Sequence, residues 1–456
     1  MKSKVLSVWG EDLDAQSSVD VIVVGTGPGG ATVAKTLAEA GQSVVMLEWG
    51  DAAPLRGEFS QMAGIAAVPG KGAFVHSDLS LVMRGITAGG TSAINFATVM
   101  EPPLELFQKY GIDLSAQTLA LRQQLPINTL PDHLMGPLAS RIQSGAQSLG
   151  LDWQKLEKLI YLDKCRAACH RCTYGCPFDA KWSAREFIEE AVKCSAKLLT
   201  GAKVFRVLHR DGRVQGVEYQ KGGVGHKLYA DHVVLAAGGI GSPRVLQNSG
   251  FENAGRDYFV DPVIAVMGSV NELNDENKDA GKEIPMAAGL QLAGEGITLS
   301  DLTLPRTMYQ AFAAQVGRLD RLLAHRKTLS IMVKIKDDLG GCIGPKWLNK
   351  SLTRDDRQRL ATGTSLARDI LLEAGATKIF NSHHFSAHPG GGAKIGELVD
   401  ENLQTEVQGL YVCDASVIPE PWGIAPSFSL MCLGSRLGAH LSSKNDVQAS
   451  QGATLE

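Results

Sequence analysis

Residues 20–48, DVIVVGTGPGGATVAKTLAEAGQSVVMLE, constrain the fold more than any other stretch, because they read without a break as strand, tight turn, helix and second strand. Residues 21–24 are an apolar, β-branched run too short for a helix and bounded by Gly25, as suits a strand buried on both faces of a parallel sheet. Gly25, Gly27 and Gly30 follow in the G-x-G-x-x-G spacing, with Pro28 and Gly29 between them. The first glycine permits the turn, the second lets main-chain amides approach a pyrophosphate, and the third lets helix and strand pack closely. Val33, Ala34, Leu37 and Ala38 give the helix an apolar face, and Gly41 ends it. Glu48 closes the second strand, where a carboxylate accepts hydrogen bonds from a ribose diol, and Trp49 beside it is counted with the cofactor contacts. The motif alone does not separate NAD from FAD. A first strand so near the N-terminus leans towards FAD.

Composition excludes several classes. A formal charge of −3 offers no basic field for nucleic acid. No apolar run is long enough to span a bilayer and the first twenty residues lack an apolar signal core, so the expectation is a cytoplasmic protein without a transmembrane segment. At 456 residues, 44% hydrophobic and 20% charged, the chain has core enough to fold without disulfides. Yet four of its eight cysteines fall within residues 165–176.

Those four, Cys165, Cys169, Cys172 and Cys176, are spaced C-x3-C-x2-C-x3-C and followed by Pro177. Four thiols so close repel one another once ionised and call for a ligand. Tetrahedral zinc is usually gripped by two short knuckles a dozen or more residues apart, which is not this pattern. A cubane iron–sulfur cluster is commonly wrapped by one cysteine-rich loop with a proline after the last cysteine. The spacing therefore favours iron–sulfur, [4Fe–4S] before [3Fe–4S], with zinc and unligated thiols as the alternatives. His170 reads as a neighbour of the site rather than a ligand, Cys194 as buried filler and Cys342 as structural.

Further glycine-rich turns recur along the chain. Residues 84–100, RGITAGGTSAINFATVM, carry Gly89, Gly90, Thr91 and Asn95; a buried strand over 233–237 ends in Ala237 and Gly238; a third segment, SHHFSAHPGGG, carries His383, His384 and His388. A strand over 410–412 delivers Asp414 and Ala415, and Pro426 and Ser427 open a helix to about Leu441, followed by a polar tail. Between them, residues 255–387 alternate as antiparallel strands, with helical periodicity over 308–326 and 354–375.

Taken together, the RG…GGTSAIN segment, the AAGGIGSP turn, the HPGGG turn and the DAS…P sequence resemble the glucose-methanol-choline (GMC) oxidoreductases, and the cysteine loop is most similar to the iron–sulfur-containing flavoprotein subunits of bacterial sugar dehydrogenases. The resemblance implies a Rossmann-type FAD-binding α/β domain with a smaller α+β substrate domain built on an antiparallel sheet. It divides the chain into FAD-binding parts at 1–105, 161–254 (with the cysteine loop) and 388–456, a helical insertion at 106–160 and a substrate domain at 255–387. It implies FAD contacts at Gly89, Gly90, Thr91, Asn95, Val204, Ala237, Gly238, Asp414, Ala415, Pro426 and Ser427, and a proton-accepting His388, with His383 and His384 as alternatives. The implied activity is oxidation of a CH–OH group in an alcohol or sugar-like substrate, with electrons leaving through the cluster to a cytochrome, a ferredoxin or a small partner subunit. One departure stands out: where the family usually places a second histidine or asparagine, this chain has Ala425. That leaves open a reductase working in the opposite direction, and a non-catalytic flavoprotein with structural zinc.

Overall fold

The computed structural model describes residues 18–271, 281–345 and 347–452. The opening unit forms β1 (Ser18–Val24), α1 (Pro28–Glu39) and β2 (Val44–Glu48). Helix α1 begins on Pro28, whose fixed φ and missing N–H suit a first helical turn, and it buries Val33, Ala34, Leu37 and Ala38. All five residues of β2 are buried, which accounts for its unbroken apolar run.

Helix α2 (Arg185–Lys193) leads to β3 (Lys197–Thr200), and a meander follows: β4 (Lys203–Arg210), β5 (Arg213–Lys221) and β6 (Val224–Leu235), then α3 (Gly238–Asn248). Strand β6 serves two pairings. Its first half runs antiparallel to β5, and its second half runs parallel to β1. The sheet order is β3-β2-β1-β6-β5-β4.

A second, antiparallel sheet is built on β7 (Pro262–Ser269), β8 (Ala288–Leu292), β9 (Ile297–Asp301) and β10 (Thr328–Ile335), with α4 (Arg354–Glu373) and β11 (Thr377–Asn381) against it. Alternation sorts β10 cleanly. Leu329, Ile331, Val333 and Ile335 pack with Leu360, Ala367 and Ile370 of α4, while Met332 faces the other way with Val263 and Ala265. Helix α4 starts at a capping box in which Thr353 and Asp356 each bond the other's main-chain N–H. Three short strands from outside this region, Ala73–Val75, Leu81–Met83 and Gln154–Lys155, also join the sheet.

The chain then returns to the first sheet as β12 (Leu410–Val412), parallel to β6, and closes with α5 (Ser427–Gly452). Three expectations need correcting. The helix anticipated over 308–326 spans Arg306–Gln315, because Gly317 turns with φ 72° into two 3-10 turns. Helix α5 continues well past Leu441, so the expected tail is helical as far as Gly452. Cys194, at the end of α2, is exposed rather than buried. Among the described residues no helix is long and apolar enough to cross a membrane.

Candidate active site and cofactor cleft

Because β1, β6 and β12 are parallel neighbours, their carboxyl ends bring three turns together, which is where an open α/β sheet binds its ligand. Two classes of glycine build the cleft. A Cβ on Gly29 would lie 2.2 Å from the Cys413 carbonyl oxygen, and one on Gly30 would lie 2.2 Å from that of Gly25, so both are required by backbone packing. A Cβ on Gly27 or Gly238 would meet nothing within 4 Å. These two sit where α1 and α3 begin, with room beside their Cα atoms, and helix N-termini attract phosphate. Gly90 belongs to the turn Gly90–Ala93, and its Cβ would lie 3.0 Å from Gly27 Cα, so the second glycine segment lies directly on the first.

Cations gather at the adenosine end of this cleft. Lys71, Arg84 and Lys203 lie 5.6, 5.7 and 4.6 Å from the Trp49 ring, with Val204 next in line on β4. Burial, helped by Arg244, lowers the Arg84 guanidinium to about 10. A dinucleotide pyrophosphate is the complement of such a field, and these residues fit FAD.

The acids of the cleft act as clamps. Glu48 accepts from Thr26 N at 3.2 Å, Thr26 Oγ1 at 2.7 Å and Gly50 N at 2.7 Å, so the carboxylate expected to read a ribose also holds the phosphate turn in shape. Asp414 accepts from Gly238 N at 2.9 Å and Ser416 N at 2.8 Å, tying the α3 turn to the turn after β12, which contains Ala415. Ala237 N donates to Ser242 Oγ at 3.0 Å. In the middle segment, Thr91 Oγ1 accepts from Gly85 N at 3.0 Å and Asn95 Oδ1 from Ala97 N at 3.0 Å. Pro426 precedes α5, and its carbonyl accepts the Leu430 N–H at 2.9 Å; Ser427 is the first helical residue.

His388 stands at the mouth of this cleft. The turn that follows it is wedged between two cofactor turns: a Cβ on Gly239 would fall 1.7 Å from the Pro389 carbonyl oxygen, and Gly391 N bonds Ala415 O at 3.0 Å. His388 Nδ1 lies 3.1 Å from Oδ2 of the fully buried Asp261, and 31% of the histidine side chain is open. Both residues have left-handed backbone, φ 44° at His388 and 42° at Asp261, a conformation that non-glycine residues keep only where the surroundings impose it. Those surroundings are identifiable. Phe259 and Gly390 exchange main-chain hydrogen bonds of 3.0 Å, and Asp337 accepts from Val260 N and Asp261 N while pairing with Lys350 at 3.0 Å. Desolvation lowers the His388 pKa; the Asp261 hydrogen bond opposes this and the nearby Lys334 adds to it.

The other histidines part company with His388. His384 Nε2 is held by Asp78 Oδ2 at 3.1 Å, and His383 is exposed. At the position lacking the family's second residue, Ala425 N contacts Met100 Sδ at 3.5 Å. Asp261 and Lys334 belong to no recognisable motif, and only the fold brings them to His388.

Cys165, Cys169, Cys172 and Cys176 line one cavity together with Ile160, Phe178 and Lys181. Burial pushes the Cys165 thiol up to about 12, and it also raises Cys172, where Lys158 and Lys181 oppose it. Among the described residues no group of His, Cys, Asp and Glu is disposed around a single metal ion. Neither zinc nor an iron–sulfur cluster therefore finds a preformed donor set there. Lys181 spans the space between this cavity and the flavin segment, donating to the carbonyls of Cys172 at 3.0 Å, Ser92 at 2.9 Å, Ala93 at 3.0 Å and Asn95 at 3.0 Å. His170 packs edge-on against Tyr174 at 6.1 Å.

Comparison with known proteins agrees with this geometry. Residues 19–268 and 333–434 match the N- and C-terminal family profiles described as GMC oxidoreductase. The chain belongs to the GMC oxidoreductase family. It is accordingly an FAD-dependent oxidoreductase. An uncharacterised GMC-type oxidoreductase of Mycobacterium tuberculosis is 26% identical over 92% of this chain and 75% of its own length. Long-chain-alcohol oxidase FAO3 of Arabidopsis thaliana is 24% identical over 92% of this chain and 67% of its own. Among solved structures, pyridoxine 4-oxidase from Mesorbium loti superposes with a TM-score of 0.71 at 16% identity, covering 93% of this chain and 99% of that one. Formate oxidase of Aspergillus oryzae gives 0.72 at 15% identity, covering 95% and 100%. These GMC structures share the mixed α/β architecture described above.

Proposed function

We propose that this GMC oxidoreductase is a dehydrogenase that oxidises the CH–OH group of a small molecule, with His388 as proton acceptor and an iron–sulfur cluster at Cys165, Cys169, Cys172 and Cys176. The observation that carries the reading is the His388–Asp261 pair at the mouth of the FAD cleft. Asp261, buried and bonded to Nδ1, keeps the proton on that nitrogen and leaves Nε2 free to take the hydroxyl proton. Depth in the fold favours the neutral, proton-accepting imidazole at pH 7. Bound FAD supplies the hydride acceptor, and a bound cluster supplies a one-electron outlet. The relative named for long-chain alcohols is consistent with an alcohol substrate.

Support for the cluster comes from the shared cavity and from Lys158 and Lys181, two buried ammonium groups beside it. Cations so buried need a counter-charge, and thiolate-ligated iron–sulfur provides one. Such an outlet would deliver electrons to a cytochrome, a ferredoxin or a partner subunit. An anaerobic screen in which alcohols bleach the flavin absorbance tests the reaction. At least one alcohol should bleach the parent, and His388→Ala should slow that bleaching by ~10²-fold or more while retaining FAD. Bleaching at the parental rate in the variant would exclude His388.

A further inference from the structure

We propose that Lys334 is the anion-recognition residue of the substrate pocket, and that the preferred substrate is a hydroxy acid whose carboxylate lies beside the hydroxyl-bearing carbon. The inference rests on the alcohol-oxidising reading of the His388 site.

Five described lysines are buried: Lys158, Lys181, Lys334, Lys350 and Lys394. Four of them have partners. Lys158 and Lys181 donate to main-chain carbonyls, Lys350 pairs with Asp337, and Lys394 donates to the carbonyls of Asp257 and Gly391 and pairs with Glu397. Lys334, 3% exposed, has no hydrogen-bond or ion-pair partner among the described residues. Its Nζ is not among the enclosed unpaired polar atoms, so the stem is buried while the ammonium reaches open space, with Asp261 as its neighbouring charge.

Its position shows where a partner would come from. On β10, Lys334 shares the face of Met332, opposite the face packed on α4, and its cross-strand neighbour is Val263. That face forms an apolar wall with Phe385, Ala387 and Phe96, residues adjoining the His388 turn and the second flavin segment. Lys334 acts electrostatically on both Asp261 and His388. The pocket therefore offers an apolar wall, a proton acceptor and one cation close to it. An ammonium that reaches open space beside the proton acceptor, and makes no hydrogen bond of its own, is placed to take a substrate carboxylate on binding. In the reaction, the hydroxy acid would lose its hydroxyl proton to His388 and a hydride from the same carbon to FAD, leaving the keto acid.

The test uses matched pairs on the intact protein: mandelate against 1-phenylethanol, and 2-hydroxyoctanoate against octan-2-ol, each assayed anaerobically for flavin bleaching. The acids should be preferred at least tenfold in kcat/KM. Lys334→Met should remove that preference mainly through KM, while octanoate should perturb the flavin spectrum of the parent but not of the variant. Equal efficiency for acids and neutral alcohols in the parent, a measurement that needs no variant, would overturn the inference and leave the alcohol-oxidising reading intact. A loss of rate in Lys334→Met for neutral alcohols as severe as for acids would also overturn it. If neither acids nor alcohols bleach the flavin, the underlying reading fails and the inference falls with it.

Discussion

His388 and Asp261 are both held in left-handed backbone by their surroundings, and the proposed chemistry belongs to the pair. Asp261→Asn should lower turnover by about 10²-fold or more, because the amide can bond Nδ1 in the wrong tautomer. The pH profile gives a separate check. His388 must be neutral to accept a proton, and burial sets its pKa below the ordinary 6.5, so the rate should fall on acidification only below that value. The Asp261 hydrogen bond raises the His388 pKa, so in Asp261→Asn the acid limb should move to still lower pH. An unshifted limb in kcat/KM would show that the pair does not govern the proton transfer. His388 was legible from the sequence because it sits in a glycine turn of recognisable pattern. Asp261, 127 residues away, carries no pattern and meets His388 only through cross-strand pairing. The alternatives His383 and His384 looked equivalent in sequence, and burial and the Asp78 contact separate them.

At the scale of elements, the glycine motif makes two distinct demands that sequence spacing cannot tell apart. Gly29 is required by packing against Cys413, whereas Gly27 faces an open cleft. Gly27→Ala should therefore fold with little loss of stability yet bind FAD at least about tenfold more weakly, since a methyl group would occupy the approach of the pyrophosphate. Gly29→Ala should instead destabilise the protein itself. Thermal unfolding and flavin titration of the two variants distinguish these outcomes, and similar behaviour in both would contradict the assignment. Strand and helix identities were readable where the apolar pattern is clear, as in β1, α1, β7 and α4. Boundaries were not: Gly317 cuts the helix after Gln315 although the apolar repeat continues, and α5 runs on past its last apolar turn. Exposure of single residues such as Cys194 depends on neighbours that no local pattern encodes.

In the whole molecule, the two larger sheets are assembled from interleaved segments. Strands at 73–75 and 81–83 leave the cofactor-binding part to join the second sheet, and Lys181 bonds the flavin segment and the cysteine loop with one ammonium group. Sequence motifs announced the flavin turns and the cysteine loop separately. Their adjacency was invisible in the sequence, because it depends on a buried lysine whose partners are main-chain carbonyls. On the proposed reading, that adjacency is the route by which electrons would pass from FAD to a cluster. Anaerobic reductive titration of the purified protein, followed by absorbance and EPR, tests this most directly. Uptake of about three electrons per chain is predicted, two by FAD and one by the cluster, with an EPR signal appearing on reduction. Uptake of about two electrons with no signal and no bound iron would contradict the account.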